Sequence, residues 1–377
     1  MLIKEVSARK IADSRGEPTI EVSVNGCRAS SPSGKSTGKY ETRVYAENLD
    51  AAIELINSLN FDFEINSFDD LKKVENALCK RFRLRFAKQF GANPLFALES
   101  AILKALAREK GKQLWQIINP KARNMPVPVG NAVGGGLHSS KFKIHPVFQE
   151  FLLIPNDVSF RANVETMTGI YQEIGKILEA AEKNDEGAWQ APKNNREVLE
   201  LLKSFSDKVR LGLDVAASSF FLNGLYKYAE KSLDEESQIK YINNLIEKYD
   251  LFYVEDPVQE ESFHGFSRIH KKHLVVGDDL TATQLGRLKE AIKSSSINAM
   301  IIKPNQNGSL LEVKKVIEFC RANNIKTILS HRSGETMDDA LADYAFGFQV
   351  DFIKTGISTV WREVKLKRMI EIENSLR

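Results

Sequence analysis

The second half of the chain repeats one pattern, a short apolar run that stops at an ionisable residue. In the clearest case the four apolar residues Ala299–Ile302 lead directly into Lys303, and Pro304 and Asn305 then end the run. Such a run predicts a short buried strand with a charged residue at its carboxyl end. Five further runs stop in the same way, at Asp214, Glu255, Asp278, His331 and Lys354.

The spacing of these strand ends predicts the fold class. From residue 214 to residue 354, successive ends are 41, 23, 25, 28 and 23 residues apart, and helical patterns lie between them. One strand–helix unit per roughly 25–30 residues is typical of a (β/α)8 barrel, which takes about 250 residues in all. We therefore predict an α/β protein whose barrel occupies residues 125–377. In such a barrel the strand ends share one face, so the ionisable residues should meet there.

The first third of the chain has strands before helices. Alternating residues predict one strand from Ile3 through Val6 and another over 19–24, and Asn25-Gly26 is a hairpin signal. Helical patterns run from about residue 46 to residue 117, which gives a small α+β domain over residues 1–124. Between the strands and the helices, residues 30–38 consist almost wholly of Ser, Gly, Pro, Thr and Lys, which predicts a mobile loop.

Composition excludes several classes of protein. The chain is 42% hydrophobic and 27% charged, and 53 basic against 50 acidic residues give a net charge of +3. This balance gives no reason to expect nucleic acid or an anionic membrane surface as a partner. No apolar run reaches the roughly 18 residues of a membrane span, and the N-terminus does not resemble a signal peptide. The odd number of widely spaced cysteines argues against disulfides and zinc, so we expect a reduced, cytoplasmic protein.

Three carboxylates, on Asp214, Glu255 and Asp278, are expected to meet at the barrel mouth. Alone they would repel one another, whereas a hard divalent cation such as Mg²⁺ prefers oxygen ligands. Each acid could instead cap the helix that follows its strand, or be a surface charge after the strand. Three acids after three successive apolar runs favour the metal interpretation.

Lys303 and Lys354 are the cationic counterparts of these acids. Desolvation and the nearby positive charge of a bound metal ion would lower the pKa of a lysine at this face, which suits a general base. The alternative is a structural lysine that pairs with the acids. Two lysines beside three carboxylates favour a functional role.

The segment His331–Thr336 has the composition of an anion-binding site. Arg332 offers a bidentate fork, and Ser333 is expected to add a hydroxyl at the opening of a helix. A capping box from Ser333 to Thr336 is a weak alternative, because the fourth residue is not Glu or Gln.

Two glycine-containing segments give weaker indications of function. Gly134–Gly136 permits close backbone approach, and His138 after it has a structural role more often than a functional one. By themselves, Asp185–Gly187 predicts only a solvated acidic turn, and Ser36 only a residue of a linker.

Taken together and in chain order, these segments resemble the enolase family, the phosphopyruvate hydratases of glycolysis. Among the most specific matches are Val254-Glu255-Asp256-Pro257, Gly277-Asp278-Asp279-Leu280-Thr281 and Ser330-His331-Arg332-Ser333-Gly334-Glu335-Thr336. The other matching stretches lie within residues 8–19, 32–38, 90–93, 135–138, 149–151, 185–187, 212–218, 302–306 and 353–356.

The resemblance implies a barrel whose first units are irregular, and a small N-terminal domain that carries a mobile lid loop. It implies the Mg²⁺-dependent, reversible dehydration of 2-phosphoglycerate to phosphoenolpyruvate, with two ions per site and a homodimer or higher homo-oligomer. The implied catalytic residues are Lys303 as base, Glu186 as acid, Glu150 and His138. The implied substrate contacts are Lys354, Arg332, Ser333, His331 and Gln149. The implied metal ligands are Asp214, Glu255 and Asp278 for one ion and Ser36 for the other.

The chain departs from the family pattern in four places. Lys35 replaces a usual alanine in the lid loop, and Ser219 replaces a usual glutamate. Residues 184–189 and 357–361 also differ from the usual sequences. These changes leave the catalytic groups in place but admit two alternatives, a divergent paralogue that acts on a related phosphonate or hydroxy acid, and a non-catalytic scaffold.

Overall fold

The computed structural model describes residues 1–35, 38–139, 143–180 and 182–376. The chain begins with a three-stranded antiparallel sheet whose strands lie side by side in chain order. Ile20, Val22 and Val24 alternate along its middle strand and are fully buried, as the period of two requires. Asn25 and Gly26 both have positive φ and form the tight turn between the second and third strands. The strands are β1 Val6–Ala12, β2 Pro18–Val24 and β3 Cys27–Ser30.

Four helices complete this N-terminal unit: α1 Leu49–Asn57, α2 Leu71–Phe82, α3 Ala92–Glu109 and α4 Leu114–Ile118. Nearly every residue of α3 is buried, because this helix packs against β2 and β3. The predicted strands and helices are present, with one error. The first strand begins at Val6 and not at Ile3, since Leu2 forms only an isolated bridge to Glu64.

Eight strands form a closed barrel in the second part of the chain, because the last strand pairs with the first. In spatial order they are β4 Val127–Gly134, β5 Glu150–Pro155, β7 Val209–Asp214, β11 Tyr253–Glu255, β12 Leu274–Gly277, β13 Ala299–Ile302, β14 Lys326–Ser330 and β15 Phe352–Lys354. Strand β5 runs antiparallel to both neighbours, and the other pairs are parallel. The barrel with irregular first units is therefore confirmed.

Short strands lie outside the barrel: β6 Trp189–Gln190 pairs with β4, and β8 Phe221–Leu222, β9 Leu225–Lys227 and β10 Ser232–Leu233 form a small antiparallel sheet. The helices of this part are α5 Phe160–Ile177, α6 Asn195–Lys203, α7 Glu235–Tyr249, α8 Phe263–Ser267, α9 Leu285–Lys293, α10 Pro304–Asn307, α11 Leu310–Ala322, α12 Ala340–Gly347 and α13 Val360–Ser375. No helix in the described ranges is long and apolar enough to cross a lipid bilayer.

An apolar layer fills the barrel below its mouth and includes Tyr253, Val276 and Ile301. Side chains alternate between the two faces of a strand, so the side chain two positions further along also points into the barrel. After Tyr253, Val276 and Ile301, the next residues that point inward are Glu255, Asp278 and Lys303, respectively. The period of a β-strand therefore explains why ionisable residues follow the apolar runs and meet above this layer.

The N-terminal unit packs against the barrel mouth. Ser33 forms a two-way backbone bridge with Gly334, and the Ser14 amide donates to the carbonyl of Glu335. A Cβ atom on Gly334 would lie 1.9 Å from Oδ2 of Asp13, so only glycine fits there. The first turn of the chain is thus in direct contact with the predicted anion-binding segment. A division of the chain at residue 124 remains a prediction.

Candidate active site

One cavity of about 380 Å³ lies at the carboxyl ends of the barrel strands, under residues of the N-terminal unit. Among the predicted site residues, the cavity is lined by His138, Gln149, Glu150, Glu186, Asp214, Asp278, Lys303, His331, Arg332, Ser333 and Lys354. Glu255 lies beneath it, fully buried. Ser36, predicted to bind a second ion, lies outside the described residues. The residues predicted from separate strand ends therefore converge on one site.

Lys354 lies at the centre of the acidic side of the cavity. Its Nζ is 2.8 Å from Oε2 of Glu150, 2.8 Å from Oε2 of Glu255 and 3.3 Å from Oδ2 of Asp214. Burial acts to lower the pKa of Lys354, but these carboxylates outweigh it and raise that pKa well above its ordinary value. Among these carboxylates Lys354 is therefore a charged cation near neutral pH.

Lys303 makes the same kind of contact on the other side of the mouth. Its Nζ is in direct contact with Oδ2 of Asp278, and its amide donates to Oγ1 of Thr283 at 3.0 Å. Desolvation opposes the charge, but Asp278 raises the pKa of Lys303 above its ordinary value. Both lysines therefore have raised pKa values, because carboxylates lie closer to them than any other cation. The lowering predicted for a lysine beside a bound metal ion stays a prediction.

The three predicted metal ligands lie on adjacent strands. Asp214 and Glu255 are directly opposite each other in the parallel register, and Asp278 follows the next strand. Burial and the neighbouring carboxylates raise the pKa of Glu255 well above its ordinary value. The capping alternative is wrong for all three acids, since Ala216, Ser262 and Gln284 hold the N-cap positions of the helices that follow these strands. These acids suit a divalent cation, whose charge would offset the cost of burying them.

Ligand atoms within 4.8 Å of one another define two groups that could hold an ion. Among the described residues these groups are Glu150 with Glu186 and His331, and Asp256 with Asp278 and Asp279. The predicted set of Asp214, Glu255 and Asp278 is not one of them, since the two lysines lie among its carboxylates. The oxygen-rich chemistry fits Mg²⁺, while the precise ligand set stays a prediction.

His138 lies between two acids on the opposite side of the cavity. Its Nδ1 is 3.0 Å from Oδ1 of Asp185, and its Nε2 is 3.5 Å from Oε1 of Glu186. Burial acts to lower the pKa of His138, but the two carboxylates outweigh it and raise that pKa to about 9. His138 is thus a charged group at neutral pH, and the interpretation as an isolated structural histidine does not describe it.

The carboxyl groups of Glu150 and Glu186 lie close together, and their pKa values move in opposite directions. Burial raises the pKa of Glu150 to about 7. Burial also acts to raise the pKa of Glu186, but the charge of His138 outweighs it and lowers that pKa. Two carboxyl groups whose pKa values are separated in this way hold one proton between them near neutral pH.

The turn that carries Glu186 is held from both sides. Oδ1 of Asn184 accepts from the Glu186 and Ala188 amides, each at 3.0 Å. Tyr171 donates to the carbonyl of Gly187 at 2.6 Å, and its ring stacks on Trp189 with centroids 5.0 Å apart.

The indole of Trp189 also fits a recess in helix α5. A Cβ atom on Gly175 would lie 2.5 Å from that ring, so a glycine is required there. The different sequence at 184–189 therefore forms a fixed support for Glu186.

Arg332 and Ser333 face the cavity from the segment after β14. The guanidinium of Arg332 pairs with Glu41 at 3.0 Å, and Oγ of Ser333 accepts from the Lys35 amide at 2.7 Å. The prediction that Ser333 opens a helix is wrong, since the next helix begins at Ala340. The donors in this segment are side chains and not a helix terminus.

His331 is the uncharged member of this segment. Burial, together with the positive charges of Arg362 and Lys354, lowers its pKa well below the ordinary value. Its Nδ1 has no hydrogen-bond partner in the described part of the chain. His331 therefore presents a neutral imidazole beside the cationic groups.

Several site residues were not predicted. Glu41 pairs with Arg332, and Asp256 and Asp279 line the cavity with Asp278. The acids at 256 and 279 each follow a predicted ligand directly, which is a signal that the sequence offered. Glu41 had no such signal, because its partner is 291 positions away in the chain.

Comparison with known proteins decides the family. The model for "Enolase, N-terminal domain" matches residues 3–118, and that for "Enolase, C-terminal TIM barrel domain" matches residues 122–377. The chain belongs to the enolase family. It is 36% identical to the enolase of Natronomonas pharaonis, with 99% of each chain covered. It is 36% identical to that of Methanocorpusculum labreanum over 98% of each, and 34% identical to that of Ehrlichia ruminantium over 99% of this chain and 96% of the relative.

As an enolase, the protein is a lyase of the phosphopyruvate hydratase type, from a family that uses Mg²⁺. Two of the departures from the family pattern lie at the site itself. Lys35 and Ser219 both line the cavity. Nζ of Lys35 is 3.0 Å from Oδ2 of Asp185 and 3.0 Å from the carbonyl oxygen of Leu137. In this enolase Lys35, in the predicted lid loop, therefore contacts both loops of the acid side.

Proposed function

We propose that this enolase interconverts 2-phosphoglycerate with phosphoenolpyruvate and water, using two Mg²⁺ ions per site. The observation that carries the proposal is the convergence of eleven predicted site residues on a single cavity. A base, an acid pair, an anion-binding segment and an acidic metal site are all required for this reaction. A protein that served only as a scaffold would need none of them together.

Lys303 is the proposed base. The proton on C2 is very weakly acidic, because its removal places a second negative charge on the neighbouring carboxylate of the substrate. Lys303 must be neutral to accept that proton, so it must first separate from Asp278. Bound Mg²⁺ supplies positive charge that stabilises the dianion and competes with the lysines for the protein carboxylates.

Glu186 and Glu150 form the proposed acid. The proton that the pair holds is delivered to the 3-hydroxyl, which then leaves as water. The raised pKa of Glu150, about 7, keeps this proton available near neutral pH. His138 contacts Glu186 from behind and holds its carboxylate in place.

Arg332 and Ser333 are proposed to bind the phosphate, and Lys354, Gln149 and His331 to complete the substrate site. Arg332 already accommodates a carboxylate, that of Glu41, in the geometry that a phosphate would use. The homodimer expected for the family and a cytoplasmic location remain predictions. Light scattering of the purified protein tests the first.

The test is an absorbance assay for phosphoenolpyruvate formed from 2-phosphoglycerate, with Mg²⁺ and then with excess chelator. We expect turnover that the chelator abolishes. No turnover by a folded protein that binds Mg²⁺ would reject the proposal. Turnover of a related phosphonate or hydroxy acid, with none of 2-phosphoglycerate, would identify a divergent paralogue instead.

A further inference from the structure

A fully buried arginine lies directly behind the anion-binding segment. Arg362, in the first turn of α13, has no solvent exposure. Its guanidinium donates to the carbonyl oxygens of Ser333 at 3.2 Å and Arg332 at 3.5 Å, and to Oγ1 of Thr359 at 3.4 Å. All of these acceptors are neutral, and its Nε has no partner in the described part of the chain.

The position of Arg362 is set by Gly356, two residues after the end of β15. A Cβ atom on Gly356 would lie 2.6 Å from Cδ of Arg362 and 3.5 Å from Cε1 of His331. The side chain therefore packs against bare backbone, between α13 and the floor of the cavity. Any larger residue at 356 would displace the arginine from the segment that it supports.

The charge of Arg362 differs from the other positive charges at this site. Within the described ranges, each lysine or arginine that lines the cavity forms a direct ion pair with a carboxylate. Arg362 forms none in that part of the chain, and its charge acts on an acid of the site only from a distance, where it helps to lower the pKa of Glu186. Those paired cations are Lys35, Lys39, Lys303, Arg332 and Lys354. A buried charge without a counter-charge costs several kcal/mol in the folded protein. An anion that binds in front of the segment would offset part of this cost.

Lys365 offers an internal comparison one turn further along α13. It is also almost fully buried, and it donates to the carbonyl oxygen of Thr336 in the same segment at 2.6 Å. Unlike Arg362, it pairs with a carboxylate, Oε2 of Glu335 at 2.7 Å. The two cations support the same segment, but only one of them contributes uncompensated charge.

We propose that Arg362 is a positioning residue for the anionic group of the substrate, holding Arg332 and Ser333 in place and supplying uncompensated positive charge behind them. The identification of that group as a phosphate rests on the proposed function. The ligand class is a compact oxyanion, and binding it completes the charge balance of the segment. No contact between Arg362 and the substrate is required.

The experiment measures binding of inorganic phosphate to the full-length protein by calorimetry, with and without Mg²⁺. Arg362→Met removes the charge and keeps a long side chain, and Arg362→Lys keeps the charge. We expect the phosphate dissociation constant to rise about tenfold or more in the methionine variant, equivalent to about 1.4 kcal/mol. The lysine variant should lose much less.

Lys365→Met is the matched control. It should lower thermal stability, since Glu335 is then buried alone, and leave phosphate affinity near that of the unaltered protein. Equal losses of affinity in the two methionine variants would reduce Arg362 to a packing role and overturn the proposal. So would unchanged affinity in a folded Arg362→Met variant.

Two further arms complete the test. If the methionine variant does not fold, Arg362→Gln replaces it in the binding experiment, because the glutamine amide can donate to the same carbonyl oxygens without a charge. Failure of both neutral variants to fold, even with phosphate present, would make Arg362 a folding residue and overturn the proposal. Turnover of 2-phosphoglycerate is measured separately, so that a wrong substrate and a wrong role for Arg362 give different results.

Discussion

The ammonium group of Lys354 lies 2.8 Å from a carboxylate oxygen of Glu255, and both side chains are almost fully buried. The same ammonium also contacts Glu150 and Asp214. One lysine thus offsets much of the repulsion among three acids at the centre of the barrel mouth. It holds the acidic cluster together in the absence of metal.

We therefore expect Lys354→Met to destabilise the metal-free protein strongly. Removing one partner of a buried ion pair leaves uncompensated charge and costs about 3–5 kcal/mol. Urea unfolding in chelator measures the loss, and added Mg²⁺ should restore part of it. The control is Lys326→Met, since Lys326 is 56% exposed in its pair with Asp351. That pair should contribute about 0–1 kcal/mol. Equal losses in the two variants would contradict the prediction.

Lys303→Ala should separate proton removal from metal binding. The variant lacks the proposed base, so exchange of the C2 proton with solvent deuterium should stop. Its Mg²⁺ affinity should be unchanged or higher, because Lys303 no longer competes for Asp278. Proton NMR in D₂O and a Mg²⁺ titration are the two measurements. Exchange that persists in the variant would mean that another group is the base.

His138 should make stability depend on pH. Its pKa is raised from about 6.5 in the unfolded chain to about 9 in the folded protein, so the folded state binds the extra proton. The stability gained is full below about pH 6.5 and is lost as the pH rises through about 9, a change of about 3 kcal/mol at most.

Urea unfolding at several pH values measures this effect. In His138→Gln the decline of stability between these pH values should be smaller than in the unaltered protein. His270→Gln is the control, because His270 is exposed in its pair with Glu247. An unaltered decline in the His138 variant would show that other groups cause it.

Lys35→Ala should weaken substrate binding more than it slows turnover. The side chain is 35% exposed, and its contacts with Asp185 and Leu137 connect the two sides of the cavity entrance. A partly exposed pair contributes about 1 kcal/mol, which corresponds to about a fivefold rise in KM.

The comparison for this prediction is Lys248→Ala, because Lys248 pairs with Glu200 on the exposed surface, away from the cavity. It should leave KM nearly unchanged. If kcat falls in Lys35→Ala while KM stays constant, Lys35 acts on the chemical step and not on binding.

The strand period made the barrel and most of its mouth predictable. Apolar runs that stop at Asp214, Glu255 and Lys303 carry both the fold and the chemistry in adjacent residues. The pKa directions of the lysines were not predictable, because they depend on which charges lie nearest in space. Glu41 and Arg362 act on the anion-binding segment from distant parts of the chain, and no local pattern reveals such contacts.

The recess at Gly175 that receives Trp189 also bears on how this sequence can change over time. A larger residue at 175 is incompatible with the indole, and a smaller ring at 189 would leave an empty space beside the turn of Glu186. Neither position can vary alone without cost. Substitutions at the two positions are therefore expected to occur together during evolution. A smaller residue should replace Trp189 before a larger one replaces Gly175.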